Sequence, residues 1–155
     1  GNNMATTITA TTLTTTVTEE ININGSVNGA TNTNTLTVNE IFKRIVTCPA
    51  SVETTVLKFA SGVNVAPGDL AVGDCKYLRI TNKDGANSCK VAYVTSATNF
   101  QVTLLPGESN VFGATASLCI GEVDNTPAFG TLANLVSVIV QSGDAIDVEV
   151  FAASA

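Results

Sequence analysis

Short runs of alternating apolar and polar residues, each closed by a turn signal after roughly ten positions, cover this chain from end to end. Alternation of this kind sends every second side chain to one face of an extended strand. The runs are rich in Thr, Val and Ile, whose branched Cβ stiffens χ1 and suits a pleated surface. No segment keeps a helical period over a window of about eleven residues. The pattern predicts an all-β chain: a single antiparallel β-sandwich, jelly-roll-like, with an extended N-terminal arm or added strand. An immunoglobulin-like strand order fits short strands of this kind as well, because their pairing register is weakly fixed.

The size and composition suit one folded unit. A chain of 155 residues is long enough for a proper core. Charged residues make up 13 % and hydrophobic residues 45 %, the opposite of a disordered composition. A surface so poor in charge is either coated with Thr, Asn and Ser or covered by neighbours. Neighbours are the favoured reading, because exposed apolar patches usually mark contacts. The net charge is −6, and the longest basic run is Lys43-Arg44 with Glu40 close by. That balance points away from nucleic acid, whose binders carry basic stripes. No apolar stretch approaches the ~20 residues of a membrane span, and the start of the chain does not read as a signal peptide. Gly1-Asn2-Asn3 ahead of Met4 reads as a tag remnant.

The chain divides at about residue 20. Residues 1–20 form a Thr-rich arm with Ile8, Leu13 and Val17 as its sizeable apolar side chains. Such a segment cannot make a core alone and needs a partner strand, in its own subunit or the next. Residues 21–155 form the sandwich. Asn24-Gly25 and Asn28-Gly29 both carry the strongest short turn signal, since Asn and Gly tolerate positive φ. Strands are predicted over Thr35 to Val38, Ile41 to Thr47, Thr54 to Ala60 and Lys76 to Thr81. Further strands follow over Cys89 to Thr95, Phe100 to Leu104, Ser109 to Phe112 and Thr115 to Ile120. The turn at Ala66-Pro67-Gly68-Asp69 separates two of them. The loop Asn82 to Asn87 is expected to close one hairpin and Ser142-Gly143-Asp144 another. Leu135 to Val140 is apolar on both faces and reads as a central strand. In the last strand Ile146, Val148 and Val150 face the core.

Little in the chain carries chemistry. It contains no His, so its Ser and Thr hydroxyls lack the usual base, and almost nothing is left to titrate near neutral pH. The paired acids are Glu19-Glu20, Asp69 with Asp74, and Asp144 with Asp147 and Glu149. Adjacent Glu19 and Glu20 point to opposite faces of a strand, and the others sit beside turns, where Asp bonds local backbone. Asn82 to Asn87 offers side-chain oxygens to calcium but lacks an EF-hand spacing and contains Lys83. Cys48, Cys75, Cys89 and Cys119 match no zinc pattern and read as free core thiols, with a Cys75–Cys89 disulfide as the alternative. No catalytic residue, cofactor or metal site is predicted, and the chain reads as no enzyme. An enzyme would have to draw on acids such as Asp144.

Two stretches resemble a known group. The first is Thr16-Val17-Thr18-Glu19-Glu20-Ile21-Asn22-Ile23-Asn24-Gly25, then Asn34-Thr35-Leu36-Thr37-Val38-Asn39-Glu40-Ile41 and Lys43-Arg44-Ile45-Val46. The second is Tyr77-Leu78-Arg79-Ile80-Thr81-Asn82, then Phe100 to Leu105 running into Pro106-Gly107-Glu108-Ser109. From about Thr14 onward the chain resembles small β-sandwich structural proteins of tailed bacteriophages. The resemblance implies a virion protein, a capsid decoration or auxiliary head protein made in the bacterial host cytoplasm. It implies a homo-oligomer, with a trimer expected, whose partners are itself and other capsid or virion proteins, with no nucleic acid and no membrane. Ile8, Leu13, Val17, Ile21 and Ile23 are the expected intersubunit residues. The alternative is a tail or fibre module that binds a host glycan or surface protein, with Tyr77 and Tyr93 as its stacking platform.

Overall fold

A computed structural model describes residues 9–60, 69–113, 118–121 and 125–155. The described chain is all-β, with its strands in several open, mostly antiparallel sheets and no helix among the described residues. Gly1 to Ile8, the turn at Ala66-Pro67-Gly68 and the start of the strand predicted at Thr115 lie outside them.

The first four strands are β1 (Thr11–Thr18), β2 (Asn22–Ile23), β3 (Ser26–Val27) and β4 (Thr31–Val38). Together they form one long hairpin. The register runs unbroken from Thr11↔Val38 through Thr18↔Thr31 to Ile23↔Ser26. Asn24 and Gly25 make the turn with φ of 51° and 82°, the mirror-image geometry that matches strand twist. The expected boundary at residue 20 therefore falls inside the hairpin, and the Thr-rich arm pairs with a strand of its own chain. At the waist, a Cβ on Gly29 would collide with the Glu19 carbonyl, so only glycine fits there.

The remaining strands are β5 (Glu40–Cys48), β6 (Thr54–Ala60), β7 (Asp69–Ala71), β8 (Cys75–Asn82), β9 (Cys89–Val94) and β10 (Asn99–Leu104), followed by β11 (Ser109–Gly113), β12 (Cys119–Ile120), β13 (Ala133–Asn134), β14 (Ser137–Gln141) and β15 (Ile146–Ser154). One sheet has the order β10-β9-β14-β6-β7 and a second the order β11-β8-β15-β5. The pair β12-β13 stands apart, and β6-β7 is a parallel contact. The two large sheets share one core. Val91, Tyr93, Val138 and Val140 come from the first sheet, and Leu78, Ile80, Val148 and Val150 from the second. All eight are fully buried.

Two predicted hairpins are corrected. The segments 83–88 and 142–145 each leave one large sheet and enter the other, so neither joins hydrogen-bonded neighbours. Buried side chains hold both corners. Asn82 donates through Nδ2 to the Asn87 and Leu104 carbonyls and accepts from the Asp84 amide. The Ser142 hydroxyl donates to the Ser88 carbonyl at 2.7 Å. Among the described residues no buried side-chain polar atom lacks a partner, as a stable interior requires. Leu135 to Val140 is central as predicted, with β14 lying between β9 and β6.

The hairpin lies on the outer face of the second sheet. Leu36 and Val38, with half-buried Leu13, pack on Tyr77, Ala153 and Phe151 in a small separate cluster. β8 thus buries apolar side chains on both faces: Leu78 and Ile80 enter the main core, and Tyr77 meets the hairpin.

Candidate functional site

Cross-strand partners share a face, so the hairpin's two faces follow from its register. One face carries Leu13, Val17, Glu19, Ile21 and Ile23, with Leu36 and Val38 from the return strand. The other is a ladder of threonines: Thr12↔Thr37, Thr14↔Thr35, Thr16↔Thr33 and Thr18↔Thr31. Thr16 and Thr33 join their hydroxyls at 3.4 Å, and Thr18 and Thr31 at 3.2 Å. The apolar face turns toward the body and the threonine face toward solvent.

Only the proximal half of the apolar face is covered. Leu13 and its neighbours form one wall of a groove of about 300 Å³ floored by Tyr77, Arg79 and Phe151. Farther along, Thr15, Val17 and Asn32 to Asn34 face Val111 and Gly113 on the edge strand β11. Past that edge, residues 18–31 are exposed except half-buried Gly29. Val17, Ile21 and Ile23 are 58 %, 48 % and 53 % exposed, and Val27 on the opposite face is 76 % exposed.

The expected contact residues therefore separate. Val17, Ile21 and Ile23 are available to a partner, whereas Leu13 packs within its own chain. Ile8 lies outside the described residues. Sequence reasoning missed a second exposed set, Ile41 and Ile45 with Lys43 between them, on the outer face of β5. Its signal was present: Phe42 and Val46 on the other face already supply the core side of this strand.

The two tyrosines do not form a platform, and that expectation is corrected. Tyr77 is buried beneath the hairpin, and Tyr93 is fully buried between the large sheets. Both rings fill covered apolar space, so a sugar has no face to stack on. Tyr93 packs edge-on against Phe112, and its hydroxyl accepts from Asn110 Nδ2 at 2.8 Å. Burial pushes its pKa up to about 12.

The titratable groups serve local structure. Glu149 is ion-paired with Arg79 at 2.5 Å, which holds its carboxyl below the usual range. Arg79 also bonds the Thr81 hydroxyl and lies 5.6 Å from the Phe151 ring centre. Asp84 accepts from the Ala86 and Asn87 amides, which lower its pKa. Asp147 accepts from the Thr47 hydroxyl at 2.8 Å, and Asp144 and Asp74 are exposed. The Asp69 side chain lies outside the described part. All four cysteines are free; Cys48, Cys75 and Cys89 are buried, and burial pushes Cys89 up to about 11. Among the described residues no cluster of acids and thiols fits a metal ion, and no helix is long and apolar enough to cross a membrane.

Comparison with protein-family models, curated proteins and solved structures finds no match to this chain.

Proposed function

We propose that this chain is a non-enzymatic structural protein of a tailed-phage virion, a capsid-decorating or auxiliary head protein that acts by homo-oligomeric binding to the particle. The observation that carries the reading is the long hairpin, half docked on its own sheet and half projecting with an exposed apolar face. An apolar stripe held out on a two-stranded ribbon is stable in water only at a cost, and contact with a neighbour removes that cost. The low charge and the threonine face suit broad polar contact with many identical copies.

The strand order supports a jelly-roll sandwich. Counting only β5, β6, β8, β9, β10, β11, β14 and β15, one sheet runs first-eighth-third-sixth and the other second-seventh-fourth-fifth. Every step along the chain changes sheet except β9 to β10, the double-sheet arrangement of a jelly roll. Such a body offers rigid faces and loops at both ends. Binding only to the assembled shell would then stabilise that shell by mass action.

The test begins with molar mass in solution, by light scattering on the full chain over a concentration series. A defined oligomer, with the trimer as the expected size, fits the proposal. Co-sedimentation with heads of the encoding phage then tests virion membership. A chain that stays monomeric and does not sediment with heads overturns the proposal. Binding to a sugar array by such a monomer would put a host-recognition module in its place.

A further inference from the structure

Two exposed surfaces of this chain carry the same spacing with opposite charge. On the projecting half of the hairpin, Val17, Glu19 and Ile21 stand on one face at successive alternate positions. On the outer face of β5, Ile41, Lys43 and Ile45 do the same. Both sets read apolar, charged, apolar, each spanning about 13 Å at the rise of a strand. Residues 9–39 contain Glu19 and Glu20 and no Lys or Arg, so this ribbon is purely acidic, and the first basic residues of the chain are Lys43 and Arg44.

The topology explains why one chain cannot join its own two surfaces. The outer face of the second sheet runs β11-β8-β15-β5. The hairpin covers Tyr77 on β8 with Phe151 and Ala153 on β15, then reaches Val111 and Gly113 on β11. It continues past the β11 edge, away from β5 at the opposite edge. The face of β5 is left bare: Ile41 and Ile45 are 56 % and 58 % exposed. The row it belongs to is the row the hairpin already covers, because Lys43 pairs with Phe151 and Ile41 with Ala153.

We propose that the projecting half of the hairpin docks on the outer face of β5 in a second copy of this chain, with Glu19 set against Lys43 of that copy and Val17, Ile21 and Ile23 packed on its Ile41 and Ile45. This rests on the homo-oligomeric reading above and gives that assembly its contact. The neighbour's β5 edge comes beside the first copy's β11 edge, so the hairpin extends over the next molecule the cover it already gives its own sheet. From Val17 to the turn it reaches about 23 Å, several times the ~4.8 Å between strands, so crossing the neighbour's edge is well within its length. The contact joins two different surfaces, so it repeats head to tail and closes into a ring when the rotation permits.

The experiment uses the full chain. Glu19→Lys and Lys43→Glu are both surface changes, and each should raise the dissociation constant of the assembly several-fold by setting like charges together. The double exchange should return it close to wild type. For a direct readout, Ile21→Cys chains are mixed under oxidation with Ile41→Cys or Ile45→Cys chains, all carrying Cys119→Ser to remove the half-buried native thiol. A disulfide between unlike chains supports the contact, and the partner that reacts gives the direction of the hairpin across β5. An assembly that forms with wild-type affinity in both single reversals, or one with no cross-link from position 21 to either partner, overturns this contact and leaves the oligomeric reading standing. A wild-type chain monomeric at every concentration overturns both.

Discussion

Replacing Leu36 by Ala should loosen the hairpin and leave the two large sheets intact. Leu36 is 7 % exposed, and the cluster it joins consists of Val38, Tyr77 and Ala153 with half-buried Leu13 and Phe151. Truncating a buried Leu costs about 2–5 kcal/mol, and a site at the margin of a small cluster belongs near 3 kcal/mol. A two-stranded ribbon is marginal without support, so undocking melts it. Three kilocalories per mole is about two decades in an opening equilibrium. Amide hydrogen exchange reads this directly, because local openings expose their own amides at their own free energies. The amides of Thr12 to Thr16 and Thr33 to Thr37 that face the partner strand should lose about a hundredfold in protection. Those of Val138, Val140, Val148 and Val150, fully buried in the main core, should keep theirs. Equal loss in both sets would show that hairpin and sheets open as one unit. No loss in the hairpin would show that Leu36 does not hold it down. Either result refutes the reasoning.

Two further outcomes follow from buried polar groups. Tyr93 is neutral in its buried site with its pKa pushed up to about 12, against about 10 when unfolded. Its contribution is therefore complete below pH 10 and is lost as pH rises toward 12, by up to about 2–3 kcal/mol. Tyr93→Phe should cost about 1 kcal/mol at pH 7 by removing the bond to Asn110, yet decline less between pH 10 and 12 in chemical denaturation, so parallel curves would contradict the assignment. Asn82→Ala should cost about 2–4 kcal/mol in the same assay, since it strips donors from the Asn87 and Leu104 carbonyls. An unchanged midpoint would mean that this corner is held by its backbone alone.

The sequence by itself determined the strand content and most strand positions. Alternation marks strands because side chains on a pleat have a period of two, but with Asn-Gly at both 24–25 and 28–29 the choice of turn, and so the hairpin register, was left to the fold. The apolar residues along Val17, Ile21 and Ile23 were legible for the same reason. Only the tertiary structure decided where each strand goes. The turns at 83–88 and 142–145 reverse the chain as a hairpin would, and nothing local says that the next strand enters the opposite sheet. That choice belongs to non-local burial, made by residues such as Val91 and Val148 that enter one core from opposite sheets. The fate of Tyr77 and Tyr93 was hidden likewise, because an aromatic on a strand reads the same whether its face is wet or covered. Tyr77 is covered by a hairpin that ends 39 positions earlier in the chain, a contact set by packing rather than by any neighbouring residue.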